Sequence, residues 1–298
     1  MRLSFVIPAH NEEDYIGKCL DSILKESEGK NYDIEVVVVN NVSTDRTREI
    51  AQKYSDVKVV DEPQKGIVWA RRAGFLNSSG ELVANIDADT MLTAGWIDKV
   101  FKEFSKNPNL VALSGPFIYH DLPKKVNFLL KFFYYPAFLV YLFNRFVLRI
   151  GSMLQGGNFV VKRSALEKIG GYNTNIEFYG EDTDLARRLH KVGDVKFTFG
   201  LPIFSSGRRL AKEGAFTMGI RYGLNYFWMI FFKRPFSKKS IDIRAAQKGG
   251  KLQYKPSNNK KEWLIAIIVT IIVLLFWVGI GFLVYYLIKS GAINRLLS

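Results

Sequence analysis

The sequence predicts an α/β fold with a doubly wound sheet in its N-terminal half. Short apolar runs alternate with helical patterns from Leu3 to Leu113. Ile34–Val39 (IEVVVV) is apolar almost throughout, as in a parallel strand buried on both faces. Polar residues collect just after the runs, at Pro8-Ala9-His10-Asn11-Glu12, Asn40-Asn41 and Asp87-Ala88-Asp89, where open α/β sheets bind their ligands.

Taken in order, Leu3–Pro8 is the first strand, closed by its proline. Asn11 is placed to cap a helix carrying Ile16, Leu20, Ile23 and Leu24 beside Cys19. After the Ile34–Val39 strand, Ser43-Thr44-Asp45 opens a helix through Tyr54, and Val57–Val60 forms a third strand. A helix runs from Gly66 to Asn77, with Gly80 near its end, and Leu82–Ile86 is the fourth strand. A helix with Trp96, Ile97, Val100, Phe101 and Phe104, then a strand at Leu110–Leu113, extends the alternation. Such strand–helix–strand units imply right-handed crossovers.

Composition narrows the function. With 298 residues, 48% hydrophobic, the chain can bury a sizeable core and is neither disordered nor a disulfide scaffold. Cys19 stands alone, which excludes an intramolecular disulfide and a cysteine-cluster metal site. His10, His120 and His190 share no ligand-like spacing, which argues against a histidine zinc enzyme. The net charge of +14 is lopsided: residues 233–298 hold twelve Lys and Arg against Asp242 and Glu262 alone. A basic block at one end points away from nucleic acid and towards a membrane surface.

Leu264–Ile288 contains no charged residue and as a helix would reach roughly 37 Å, beyond an about 30 Å hydrocarbon core. Trp263 and Tyr285-Tyr286 flank it at headgroup depth. Ten basic residues, from Lys233 to Lys261, precede it and only Lys289 and Arg295 follow. The positive-inside rule therefore predicts a single-pass membrane protein with a large cytosolic N-terminal portion, a short tail across the bilayer, and anionic lipid as a partner. The apolar start of the chain is too short for a signal peptide. Residues 126–149, interrupted by Lys131, Pro136, Asn144 and Arg145, fit either interfacial or core helices. Residues 215–232 run into the basic block, which favours the interface.

The expected organisation is a globular domain over 1–210, in two halves (1–115 and 150–210) around a possible interfacial insertion (117–149). An amphipathic and basic region (211–262), a transmembrane helix (263–289) and a tail (290–298) would follow.

On an extended chain Asp87 and Asp89 point the same way, which suits a clamp holding Mg²⁺ and a diphosphate. Alternatively they cap a helix that begins near Thr93. Gln155-Gly156-Gly157-Asn158 precedes the apolar Phe159–Val161; its glycines allow close backbone approach to a ligand, or simply a turn. Glu181-Asp182-Thr183-Asp184 opens a helix with Leu185, Leu189 and Val192, where acids suit the helix dipole or supply a general base. Ser206-Gly207-Arg208-Arg209 could hold a leaving diphosphate or form a basic loop.

These segments together (FVIPAHNEE, VVVNNVSTD, KGIVWARRAG, NIDADT, QGGNF and GEDTDL) resemble the family-2, GT-A-fold nucleotide-sugar glycosyltransferases over residues 3 to 209. The resemblance implies a mixed, Rossmann-like sheet and an inverting transferase that uses Mg²⁺ or Mn²⁺. By position it implies that Pro8, His10, Asn11, Glu12, Asn40, Asn41 and Arg71 line the nucleotide pocket. Asp87 would contact the ribose or metal, and Asp89 would ligate the metal. Asp182 would be the base, with Glu181 beside it, and Gly157 and Asn158 would border the acceptor. Arg208 and Arg209 are assigned to the diphosphate.

Two departures stand out. Asn40 replaces the usual base-reading Asp, which leaves UDP against GDP open, with UDP-sugar favoured. The Gln-x-x-Arg-Trp motif of processive synthases is absent, which favours transfer of one sugar. The expected acceptor is a hydroxyl of a lipid or lipid-linked glycan. The alternatives are a polyprenyl-phosphate (dolichyl-phosphate) sugar synthase using GDP-mannose or UDP-glucose, and a non-catalytic nucleotide-binding membrane scaffold.

Overall fold

The computed structural model describes residues 1–148 and 153–237. Its centre is a seven-stranded sheet of order β3-β2-β1-β4-β8-β6-β9, formed by β1 (Leu3–Ala9), β2 (Ile34–Asn40), β3 (Val57–Asp61), β4 (Leu82–Ile86), β6 (Leu110–Ser114), β8 (Asn158–Lys162) and β9 (Asp194–Phe197). Six strands run parallel. β8 lies antiparallel between β4 and β6, which makes the sheet mixed.

Alternation along each strand builds two cores. Phe5, Ile7, Ala84 and Ile86 face α1 (Ile16–Ser27) and α4 (Trp96–Lys106). Val6, Val83, Phe159 and Val161 face α3 (Ile67–Leu76), α6 (Arg163–Lys168) and α7 (Glu181–Leu189). The result is three layers, helix–sheet–helix.

The predicted strands appear with small shifts. β1 continues through Pro8 because its pairing with β4 ends at Val6, so the missing proline N–H interrupts no ladder on that side. The second helix shrinks to α2 (Thr47–Ala51), since Ser43, Thr44 and Asp45 instead grip the loop after β1. Asn11 does not cap α1. Its φ is +53° and its Oδ1 accepts from the Thr44 N–H.

Three strands of three residues, β5 (Thr90–Leu92), β7 (Phe117–Tyr119) and β10 (Ile203–Ser205), form a second sheet in the order β5-β10-β7. β10 leads into α8 (Arg208–Glu213) and then α9 (Ala215–Phe232).

α5 (Lys124–Phe143) runs uninterrupted through Pro136 and continues as a π-helical turn over Asn144–Leu148. Tyr134, Phe138 and Tyr141 pack on Phe197, while Phe128 and Leu139 are exposed. α9 buries Met218, Asn225, Met229 and Ile230 and exposes Phe231 and Phe232. Each helix therefore has one face against the domain and one apolar face outside.

The single-pass localisation expected from the sequence is corrected here: among the described residues no helix is long and apolar enough to cross a membrane. The segments assigned to the span (263–289), to the tail (290–298) and to the basic region beyond Ser237 lie outside the described residues.

Candidate active site

Strand register assembles the site. Ala9 pairs with Asn40 and Asn40 with Asp61, so the carboxyl ends of β1, β2 and β3 share one rim. Ile86 at the end of β4 pairs with Asn158 at the start of β8. Because β8 is antiparallel, Gly156-Gly157 reaches that same rim. Gly157 has φ +84°, and a Cβ there would fall 2.2 Å from Asp87 Oδ2. A Cβ on Gly156 would lie 3.3 Å from both Asp182 Oδ2 and Glu181 Oε1. The two glycines are thus the floor between the Asp87 carboxylate and the acids of α7.

One cluster centres on Arg71, which is 1% exposed. Its Nη1 donates to Glu181 Oε1, its Nη2 lies 3.4 Å from Asp87 Oδ1, and it stacks over Phe159. Burial opposes the Arg71 charge, but Glu181 and Asp87 outweigh it and hold the guanidinium ionised. Burial pushes the Glu181 carboxyl up to about 7, against the pull of Arg71. Burial also raises Asp182, whose oxygens are held by the N–H groups of Thr183 (2.7 Å) and Gly156 (3.2 Å). Asp184, the third acid of the turn, bonds Arg187 and Arg188 of its own helix and is structural.

A second cluster centres on Arg208, 6% exposed. Its Nη2 donates to Glu12 Oε1 (2.5 Å) and Oε2 (2.7 Å) and pairs with Asp89 Oδ2 at 3.1 Å, while the guanidinium lies over Tyr15. The small sheet makes this possible: Ser205 pairs with Thr90, and the Ser206 N–H donates to the Asp89 carbonyl. Asp121 fixes the turn before α8 by accepting from Ser206 Oγ and the Gly207 N–H. No local pattern in the sequence marks the Glu12–Arg208 or the Arg71–Glu181 pair.

The other expected residues divide. Pro8 is a buried strand residue. His10 Nδ1 donates to the Asn41 carbonyl (2.7 Å). Asn41 is a buried anchor: it donates to the carbonyls of Glu62 and Gln64 and accepts from the Gly66 N–H, fixing the start of α3 and so the placement of Arg71. Asn40 donates to Asp61 Oδ1, leaving its own Oδ1 buried without a hydrogen-bond partner. The charge absent at position 40 thus stands beside it, at Asp61. Arg209 pairs with Glu213 and stacks on Phe178. Asn158 is fully buried: it accepts from Trp96 Nε1 and donates to the Pro116 and Leu201 carbonyls. Such a side chain cannot border an acceptor, which corrects that expectation.

Asp87 and Asp89 are also arranged differently from the extended-chain expectation. The Thr90 N–H donates to the Asp87 carbonyl, closing a turn, so the two carboxylates reach different arginines. Neither caps α4, whose N-cap is Gly95. They are 32% and 14% exposed and present hard oxygen donors at the rim. Among the described residues no cluster of three or more His, Cys, Asp or Glu could hold a metal. Two carboxylates do suit Mg²⁺ or Mn²⁺ if diphosphate and water complete the shell.

The family model described as glycosyl transferase family 2 matches residues 4–170, more than half of the chain. The chain belongs to glycosyl transferase family 2. A model described as the N-terminal domain of galactosyltransferase matches residues 147–199, the stretch holding Gly156, Gly157, Glu181 and Asp182. The family-2 chain is 29% identical to the glycosyltransferase GlyA of Streptococcus pneumoniae over 124 residues, 40% of this chain and 17% of that one. It is 38% identical to a dolichyl-phosphate beta-glucosyltransferase of Trichomonas vaginalis over 97 residues, 29% and 30% of the two chains. It thus spans less than a third of either relative. The structure of a mannosyltransferase from Pyrobaculum calidifontis in complex with GDP-Man and Mn²⁺ shares the fold, with TM-score 0.58, 22% identity, and 78% and 63% of the two chains covered. This family-2 chain has the mixed α/β sheet of the GT-A fold.

Proposed function

We propose that this enzyme transfers one sugar, with inversion, from a nucleotide-diphosphate sugar to a hydroxyl of a lipid or lipid-linked acceptor. The observation that carries the reading is the Gly156–Gly157 floor, which sets the Asp87 carboxylate on one side and Asp182 and Glu181 on the other. UDP-sugar is the favoured donor, with the Asn40 amide, bonded to Asp61, at the base-reading position. An aromatic acceptor side supports a lipidic acceptor. Met229 of α9 packs where a Cβ on Gly180 would fall, and Tyr222 and Tyr226 lie within electrostatic reach of Asp182.

In this mechanism Asp182, oriented by the Gly156 and Thr183 N–H groups, takes the proton of the acceptor hydroxyl. The acceptor oxygen bonds the anomeric carbon on the face opposite the diphosphate as the carbon–diphosphate bond breaks. Glu181, tied to Arg71, holds that guanidinium beside Asp87. Asp87 and Asp89 would hold Mg²⁺ or Mn²⁺, which supplies Lewis-acid stabilisation of charge on the departing diphosphate. Arg208 adds a second cation on that side.

The test is turnover of radiolabelled UDP- and GDP-sugars by the full chain. Turnover is expected to stop on exhaustive chelation and return with Mn²⁺. Asp182→Asn is expected to lower turnover ~10²–10⁴-fold with nucleotide binding nearly intact. Activity surviving chelation, or equal loss of binding and turnover in Asp182→Asn, would refute it.

A second reading, a polyprenyl-phosphate acceptor, is supported by the 38% identity to the dolichyl-phosphate beta-glucosyltransferase. A phosphate acceptor is already anionic and needs no base. It predicts an acid-labile product and a small effect of Asp182→Asn.

A further inference from the structure

The Arg208 guanidinium is where a cation would be expected beside Asp89. It is almost fully buried, contacts both oxygens of Glu12 and one of Asp89, and leaves its Nε buried without a hydrogen-bond partner. A divalent ion added on Asp89 with Arg208 in place sets two cations against each other in a poorly solvated site. A diphosphate removes that conflict, because it supplies anionic oxygens to both cations at once. The donor set agrees: among the described residues no group of three or more His, Cys, Asp or Glu could hold a metal, so the protein alone forms a sparse metal site.

We infer that Arg208 and the divalent ion compete for Asp89, so that metal binds tightly only together with the nucleotide diphosphate. Arg208 is thereby the residue that enforces joint binding: it weakens metal held without nucleotide and passes to the diphosphate when nucleotide arrives. Glu12 has the opposing part. It draws Arg208 away from Asp89 and holds the guanidinium ready for the phosphate oxygens. The inference rests on the proposed metal–diphosphate reading of Asp87 and Asp89.

The experiment is Mn²⁺ binding to the full chain, followed by the electron paramagnetic resonance signal of free Mn²⁺, with and without UDP. In the wild type, UDP is expected to tighten Mn²⁺ binding at least ~10-fold. Arg208→Gln is expected to tighten Mn²⁺ binding in the absence of UDP by ~10-fold, and to reduce the enhancement by UDP. Glu12→Gln leaves Arg208 to Asp89 alone and is expected to weaken Mn²⁺ binding without UDP. These shifts have opposite sign, whereas damage to the fold would weaken both, and Glu12→Gln decides alone if Arg208→Gln does not fold. Mn²⁺ binding that is no tighter in folded Arg208→Gln, or no weaker in Glu12→Gln, overturns the inference and leaves the metal reading standing. Absence of Mn²⁺ binding by the wild type even with UDP overturns both.

Discussion

Arg71 on α3 donates to Glu181 on α7, a buried pair 110 residues apart in the chain. Because the same guanidinium also faces Asp87, one side chain joins the acids of the proposed donor side to those of the proposed base side. Neither helix alone specifies the site. The pair does.

Removing that guanidinium strands a buried carboxylate. Arg71→Ala is therefore expected to cost ~3–5 kcal/mol of folding stability at pH 8, above the Glu181 pKa. The loss is expected to shrink at lower pH, where Glu181, already pushed up to about 7 by burial, takes a proton. Chemical denaturation at pH 5 and pH 8 checks both statements, and a loss independent of pH would contradict the ionised pair.

As the proposed base, Asp182 must be deprotonated to accept a proton, so its contribution is present above its pKa and lost as pH falls through it. Burial raises that pKa, with the Thr183 and Gly156 N–H groups opposing. The acid limb of kcat/KM is thus expected above the ordinary carboxylate range near 3.8, and absent from the residual activity of Asp182→Asn. A pH–rate profile for both proteins measures it.

The two floor glycines should differ sharply. Gly157→Ala requires a left-handed backbone, costing ~1–2 kcal/mol, and drives a methyl into the Asp87 carboxylate. Gly156→Ala meets only tight contacts with Asp182 and Glu181. Isothermal titration is expected to show nucleotide-plus-Mn²⁺ binding lost in Gly157→Ala and largely kept in Gly156→Ala.

Asn158 offers a check on the corrected acceptor assignment. Asn158→Ala leaves the buried Trp96 N–H without an acceptor, with an expected cost of ~1–3 kcal/mol in thermal or chemical unfolding. The KM for acceptor in the remaining folded protein is expected to stay unchanged.

The elements legible in the sequence are those whose cause is local. Leu82–Ile86 and the helix at Trp96 stand where alternating and helical hydrophobic spacing placed them, because periodicity is set by the chain's own geometry. The polar runs after β1, β2 and β4 were visible for the same reason, and they carried the family. What escaped notice has non-local causes. Three-residue strands such as β5, β7 and β10 show no period, yet they deliver Arg208 to Asp89. Asn158 carries a motif position but is consumed by the core, since the antiparallel insertion of β8 turns its side chain towards Trp96.

By itself, then, the sequence determined the α/β layering, the position of the polar rim and the membership of family 2. The tertiary structure alone decided which acid meets which arginine. Glu12 and Arg208 are 196 residues apart and Arg71 and Glu181 are 110 apart. Such pairs form only when strand order and register bring distant ends to one rim, where burial makes an uncompensated charge too costly to leave alone.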